Sequence, residues 1–187
     1  MKSRDNPWQT LKQRNAYENP WIRVEHHEVI NPAGKLGVYG KVCFKSRAVG
    51  VIPVDEHGNT WLVGQYRYTL DRWLWEIPMG GAPLHEEPLL TAHRELREET
   101  GLRAATMQPI MFLHTSKSVT DEEGYVYLAT ELTAGDTEFE DTEEIEIIQL
   151  PLREAVAMAQ DGRITDIISI AGLLHLALNA QRYGLKL

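Results

Sequence analysis

An α+β domain on a mixed sheet, preceded by a small antiparallel sheet, is the fold class that the sequence predicts. Three observations carry it. Short β-rich runs recur between sharp turn signals from about residue 21 to residue 150. One well-bounded helix interrupts them at about residues 87–100, and two more close the chain. Strands and helices do not alternate as regular βαβ units, the pattern a purely parallel sheet requires.

Residues 1 to about 20 are polar and aromatic without clear periodicity, and Pro20-Trp21 marks the entry into ordered structure. Trp21 to Val29 and Gly37 to Phe44 read as strands around the turn signal Asn31-Pro32-Ala33-Gly34. This divides the chain into an N-terminal strand appendage, 1–45, and a main domain, 46–187. Ala48 to Val54 and Thr60 to Tyr68 form a hairpin across Asp55-Glu56-His57-Gly58-Asn59, whose Gly and Asn suit positive φ. Trp73 to Ile77 is a short strand, and Pro78 to Pro83 reads as a Gly/Pro loop. A helix follows from about Glu87 to Thr100, with Pro88 in its first turn and Gly101 placed to end it. Ile110 to His114, Gly124 to Glu131 and Glu144 to Leu150 are further strands, and Leu152 to Gln160 and Asp166 to Tyr183 are helices. The last is apolar on most sides and needs a sheet or a partner to pack against.

Composition excludes several classes. With 19 basic against 27 acidic residues the net charge is −8, and no Lys/Arg cluster is present to release counterions from a phosphate backbone, so nucleic acid is not expected as a partner. The single cysteine, Cys43, precludes an internal disulfide, and no Cys/His cluster has zinc spacing; a reducing cytoplasm fits. No signal-peptide core stands at the start, and the longest apolar stretch, Ile167 to Leu178, is broken by Ser169, Gly172 and His175, so no membrane span is expected.

The chemistry concentrates in GGAPLHEEPLLTAHRELREETGL, Gly80 to Leu102. On a helix, residues three and four apart share a face, which puts Glu95 beside Glu98 and Glu99, while Leu89, Ala92 and Leu96 line the neighbouring apolar side. Crowded carboxylates repel unless a hard cation joins them, and Mg²⁺ prefers carboxylate oxygens, waters and phosphates. Arg94 is placed to brace Glu98 one turn on, and Gly80-Gly81 allows a tight backbone path beside the carboxylates. An ordinary solvated acidic helix is the alternative reading of the same residues.

Counted from Gly80, five residues precede Glu86, seven more precede Arg94-Glu95-Leu96, and single residues separate these from Glu98-Glu99 and from Gly101-Leu102. That spacing fulfils every fixed position of the Nudix box, and the chain resembles a Nudix hydrolase. The resemblance implies an α/β/α sandwich with a mixed sheet and Mg²⁺- or Mn²⁺-promoted attack of water on a nucleoside diphosphate linked to another group. It implies Glu95 and Glu99 as principal metal ligands, Glu98 as a third ligand or acid/base participant, and the Met79 carbonyl as a further ligand.

The preceding segment VGQYRYTLDRWLWEIPMGG, Val63 to Gly81, resembles the branch that hydrolyses ADP-ribose and other nucleoside diphosphate sugars to a nucleoside monophosphate and a sugar phosphate. The matching residues are Gln65, Arg67, Trp75, Glu76, Ile77, Pro78 and Gly80. By that resemblance Arg67 reaches the substrate diphosphate and Glu76 contacts ribose or metal; a surface strand Arg is the plain alternative for Arg67. Trp73 and Trp75 share one strand face, where core packing is the default.

One departure concerns specificity: Lys117 occupies the place, about fifteen residues beyond the box, where ADP-ribose-cleaving members carry proline. This shifts weight toward a broader substrate range, ADP- or GDP-hexoses included, with Lys117 a candidate phosphate contact or a plain loop lysine. The acidic run Glu138 to Ile145 matches the loop that supplies the water-activating carboxylate in sugar-nucleotide members, with Glu140 and Glu143 joint candidates for the base and Asp141 behind them. Glu18 to Gly40 resembles the sheet that such enzymes exchange across a homodimer, which makes Tyr17 and Trp21 candidates for stacking the nucleobase or for anchoring the interface. Two other functions fit the same residues: dinucleotide or nucleoside triphosphate hydrolysis, and a non-catalytic Nudix-fold regulator that binds a sugar nucleotide.

Overall fold

A computed structural model describes residues 5–137 and 144–185. The chain divides into two compact units, residues 1–46 with 114–122, and residues 47–113 with 123–187.

The first unit is a three-stranded antiparallel sheet, β1 (Gln9–Glu18), β2 (Ile22–Ile30) and β3 (Leu36–Phe44), in that spatial order. The β2–β3 turn has the chemistry its sequence suggests. The Asn31 side-chain oxygen accepts from the N–H groups of Ala33 and Lys35, and Gly34 takes φ +77°. The register runs from Ile30 opposite Leu36 to Ile22 opposite Phe44. β1 corrects the reading of residues 1–20 as aperiodic: it is a ten-residue strand, exposed throughout, with register shifts between Thr10 and Lys12 and between Asn15 and Tyr17. Those irregularities, and the lack of a buried face, erase the period of two that marks a strand in sequence. The 114–122 segment joins this unit through a parallel bridge of Val42 to Thr120 and a Tyr39 hydroxyl that donates to the Ser118 carbonyl at 2.6 Å.

The second unit holds a four-stranded sheet in the order β7 (Met79–Pro83), β4 (Ser46–Pro53), β9 (Glu123–Ala134) and β8 (Leu102–His114). A three-stranded sheet has the order β10 (Glu146–Pro151), β5 (Asn59–Arg67) and β6 (Arg72–Glu76). β4 and β9 are parallel and β5 pairs antiparallel with both neighbours, so the fold is mixed-sheet α+β as expected. The helices are α1 (Pro88–Thr100), α2 (Leu152–Asp161) and α3 (Ile167–Leu178).

Strand alternation sorts the core into two layers. Val49 and Val51 of β4 and Tyr127 and Ala129 of β9 pack with Ala92 and Leu96 of α1. Ile52 of β4 and Val126 and Leu128 of β9 pack with α2 and α3 through Ala155, Ile168, Leu173 and Leu176. Period two on the strands thus sends successive side chains to opposite helices, which produces the helix–sheet–helix sandwich.

The expected hairpin of Ala48–Val54 with Thr60–Tyr68 does not form: β4 pairs with β7 and β9, β5 with β6 and β10, and the two meet only at the isolated antiparallel bridge Val54–Thr60 beside the turn. Boundaries differ from expectation as well. Pro78 to Pro83 is not a loop; most of it forms β7, an edge strand where glycines and a terminal proline are tolerated. β8 starts at Leu102 rather than Ile110; its first half is largely exposed and lacks the alternation of apolar and polar residues that marks a strand in sequence. The last helix ends at Leu178, and a short 3₁₀ turn covers Ala180–Tyr183. Among the described residues, no helix is long and apolar enough to cross a membrane.

Candidate active site

The site is built where α1 lies against the segment that joins β6 to β7. α1 begins with Pro88 at its first position and ends at Gly101, whose φ of +70° and N–H bond to the Arg97 carbonyl close the last turn. Its buried stripe is Thr91, Ala92, Glu95, Leu96 and Glu99, so two carboxylates belong to the packed face itself. Leu89 does not line the core as expected; it is 41% exposed, and Thr91 takes the inward place. Glu86, just ahead of the helix, accepts a hydrogen bond from the Thr91 hydroxyl.

Buried carboxylates need partners, and here they find them in two arginines and in the anchored run Glu76 to Gly80. Glu76, 2% exposed, is gripped by the Arg67 guanidinium, whose Nε donates to Oε1 at 2.9 Å while Nη2 pairs with Oε2. The Ile77 N–H donates to the Ser169 hydroxyl oxygen at 3.0 Å. The Pro78 carbonyl accepts from the Val51 N–H at 2.8 Å. The Met79 N–H donates to Glu99 Oε2 at 2.8 Å. Finally, a Cβ on Gly80 would stand 2.0 Å from Glu95 Oε1, so only glycine leaves room for that carboxylate. Every residue from Glu76 to Gly80 is therefore fixed by a different neighbour.

The electrostatics follow from this packing. Arg67 titrates above its usual range, first because it hydrogen-bonds Glu76, with the charges of Glu99 and Asp166 adding to the effect. Arg94 reaches Glu95 at 2.8 Å and Glu98 at 2.9 Å, and Arg97 reaches Glu98 at 3.1 Å. Burial opposes the charge on Arg94, and the Glu95 and Glu98 carboxylates more than offset it. Glu98 is thus turned to two arginines, and among the described residues no three His, Cys, Asp or Glu side chains are gathered as a metal cage.

Mg²⁺ does not require such a cage, since it usually retains waters and takes one or two protein carboxylates together with substrate phosphates. Glu95 and Glu99 are hard oxygen donors with 7% and 1% exposure, and the Gly80 gap gives one of them its room, so the residues fit a small divalent cation.

The structure brings Arg67, Glu76, Met79, Glu95, Glu98 and Glu99 into one unit. Tyr17, Trp21 and Lys117 belong to the other unit, where Tyr17 and Trp21 are 57% and 72% exposed and Lys117 is on an exposed loop. Glu140, Glu143 and Asp141 lie outside the described residues. Trp73 and Trp75 share a face as expected, with ring centroids 6.4 Å apart, and both rings cover Gly64. Sequence reasoning missed Ser169 and Asp166. Asp-x-x-Ser at the head of α3 signals a helix cap, and nothing in that pattern reveals a hydrogen bond to Ile77 from 92 residues away.

A helix–sheet–helix sandwich carrying buried, braced carboxylates at the head of one layer is an arrangement able to hold a hard divalent cation. The chain matches the NUDIX domain over residues 44–168 and the nucleoside diphosphate sugar hydrolase N-terminal domain over residues 8–42, and it belongs to the Nudix family. Two curated relatives are ADP-ribose pyrophosphatases. The one from Mycobacterium tuberculosis is 35% identical, aligned over 91% of this chain and 83% of its own. The one from Bacillus subtilis is 34% identical over 97% and 100%. The methanol dehydrogenase activator of Bacillus methanolicus is 28% identical over 90% and 92%. A crystal structure of an ADP compounds hydrolase superposes with a TM-score of 0.85 at 18% identity, over 98% of this chain and 99% of that one, which speaks for the fold. The protein is accordingly a hydrolase of the Nudix type.

Proposed function

We propose that the protein hydrolyses the diphosphate bond of ADP-ribose and related nucleoside diphosphate sugars. Water adds to one phosphorus, the bridging oxygen leaves with the bonding electron pair and takes up a proton, and a nucleoside monophosphate and a sugar phosphate are released. The observation that carries the reading is the anchored run Glu76 to Gly80, which holds Glu95 and Glu99 as oxygen donors before any ligand arrives. Preorganisation of this kind lowers the reorganisation cost of the transition state.

Glu95, Glu99 and the Met79 carbonyl would hold Mg²⁺ or Mn²⁺, with Glu98 a third carboxylate released from Arg94 and Arg97. Bound there, a divalent cation neutralises diphosphate charge and lowers the pKa of the attacking water. The Arg67 fork to Glu76 employs two of the five donors of a guanidinium, and the remaining donors suit a phosphate oxygen. The proton acceptor is assigned to Glu140 or Glu143 on the strength of the motif resemblance.

The substrate class rests on two supports: relatives that act on ADP-ribose, and an N-terminal region matching that of nucleoside diphosphate sugar hydrolases. Lys117 in place of proline favours a range wider than ADP-ribose. The first unit leaves Trp8, Leu11, Tyr17, Trp21, Leu36 and Val38 exposed, which favours a homodimer formed through this sheet.

The deciding experiment measures phosphate made available to phosphatase from ADP-ribose, ADP-glucose, GDP-mannose, UDP-glucose and NADH, with and without Mg²⁺. Metal-dependent cleavage of the sugar nucleotides is expected. Cleavage of NADH alone, or no cleavage of any, would overturn the reading.

A further inference from the structure

We propose that Ser169, backed by Asp166, is a positioning residue that sets the register of the Glu76–Gly80 run and thereby the placement of Glu99 and Glu95. This rests on the metal-site reading above.

Ser169 is completely buried at the head of α3. Its hydroxyl accepts from the Ile77 N–H at 3.0 Å and donates to Asp166 Oδ2 at 2.8 Å, and its own N–H donates to the same Asp166 oxygen at 2.7 Å. A serine hydroxyl has one proton and two lone pairs. Because Asp166 takes the proton, a lone pair is directed at Ile77, and the hydroxyl cannot rotate without breaking a bond to a carboxylate. Helix capping alone would explain the Asp166 bonds; it does not require Ser169 to reach across to Ile77, the residue that follows β6.

Ile77 is the place where such a constraint matters. It follows Glu76 and lies two residues before Met79, whose N–H holds Glu99. The Ile77 side chain fills the space above Gly50, where an added Cβ would come within 2.7 Å of Ile77 Cδ1 and 3.1 Å of Ile168 Cγ2. β4 and α3 thus clamp the same residue from both sides, one by shape and one by hydrogen bond. A shift of Ile77 along the strand would carry Met79 and Gly80 with it and disturb both carboxylates. The charge of Asp166 also acts on Arg67, so both anchors on this stretch feel the same aspartate.

Ser169→Ala leaves the Ile77 N–H buried without its acceptor, while Ser169→Cys keeps nearly the same volume and substitutes a weak acceptor. Three readouts separate positioning from mere stability: hydrogen exchange of the Ile77 amide, Mn²⁺ affinity by electron paramagnetic resonance, and kcat on ADP-ribose. For Ser169→Ala the expected result is Ile77 exchange faster by about tenfold, Mn²⁺ binding weaker by about fivefold or more, and kcat lower by about tenfold to a hundredfold. Ser169→Cys should move all three the same way by less, and it supplies the test alone if the alanine variant does not fold. A lowered melting temperature with Ile77 protection and Mn²⁺ affinity within twofold of wild type would overturn the proposal and leave Ser169 a helix-cap residue. Glu99→Gln measured alongside distinguishes the two failures: if it too binds Mn²⁺ as wild type does, the metal-site reading is what fails.

Discussion

The run from Glu76 to Gly80 and the sheet of residues 9–44 are built on opposite terms. In the first, charged groups are buried and each has a protein partner: Glu76 with Arg67, Glu99 with the Met79 N–H, Glu95 with Arg94. In the second, large apolar groups such as Trp21, Leu36 and Val38 are open to solvent, at 72%, 79% and 66% exposure. Burying a carboxylate is costly unless it is paired, and exposing a large apolar side chain is unfavourable unless something covers it. The first region thus keeps its charges buried by pairing them within the protein. The second is a surface whose apolar material suits the homodimer proposed above.

The largest effect that would sharpen this contrast comes from Glu99→Gln. Gln keeps an oxygen for the Met79 N–H and removes the charge, so turnover should fall by about three orders of magnitude or more while circular dichroism and melting stay close to wild type. Turnover within tenfold of wild type would remove Glu99 from the metal site. Gly80→Ala should come next. Its Cβ would collide with the Glu95 carboxylate at 2.0 Å, so about a hundredfold loss of kcat is expected, with stability lower by about 1–3 kcal/mol. An active Gly80→Ala variant would show that Glu95 has room to move without consequence.

The N-terminal sheet is tested by charge. Trp21→Asp combined with Leu36→Asp should convert a particle of twice the chain mass, seen by light scattering, into one of single-chain mass, with the secondary structure intact. A wild type of single-chain mass at micromolar concentration would break the comparison on this side.

The smallest effect concerns acid. Glu25 titrates below the usual carboxylate range, first through its hydrogen bond with His27 and then through Arg23, despite an opposing effect of burial. Asp121 is also lowered: burial opposes, and Lys41 and the Phe44 N–H outweigh it. Carboxyls depressed by folding contribute stability that is complete above their unfolded values and is lost as pH falls through the folded ones. Melting of the protein should therefore hold steady down to about pH 4.5 and decline below it, with a shallower decline in Asp121→Asn. An equal decline in that variant would show that Asp121 has no share in it.

How far the sequence revealed each region follows from the same physics. The α1 carboxylates were legible because local spacing fixes which residues share a helix face, and the Arg94–Glu98 brace appeared where expected. The turns at Asn31–Gly34 and Asp55–Asn59 were legible for a similar reason, since their side chains bond their own backbone, but the second was misread as a hairpin because local turn chemistry does not say which sheet each flanking strand joins. β1 was not, because an exposed and irregular strand leaves no alternation to read. Pro78 to Pro83 looked like a loop because glycine and proline also suit an edge strand, and only pairing with β4 tells the two apart. Leu89 was misplaced, and Thr91 passed over, for want of knowledge of how α1 rotates on its sheet. Ser169 was invisible for a further reason: its partner is chosen by the tertiary fold alone.

The central claim is that Glu95 and Glu99 form a divalent-metal site held ready by the Glu76–Gly80 run. Mn²⁺ titration followed by electron paramagnetic resonance, on wild type and on Glu99→Gln, tests it most directly. Saturable binding by wild type, weakened by about tenfold or more in Glu99→Gln while the fold is retained, is the predicted result. Equal affinity in the two proteins would contradict the account.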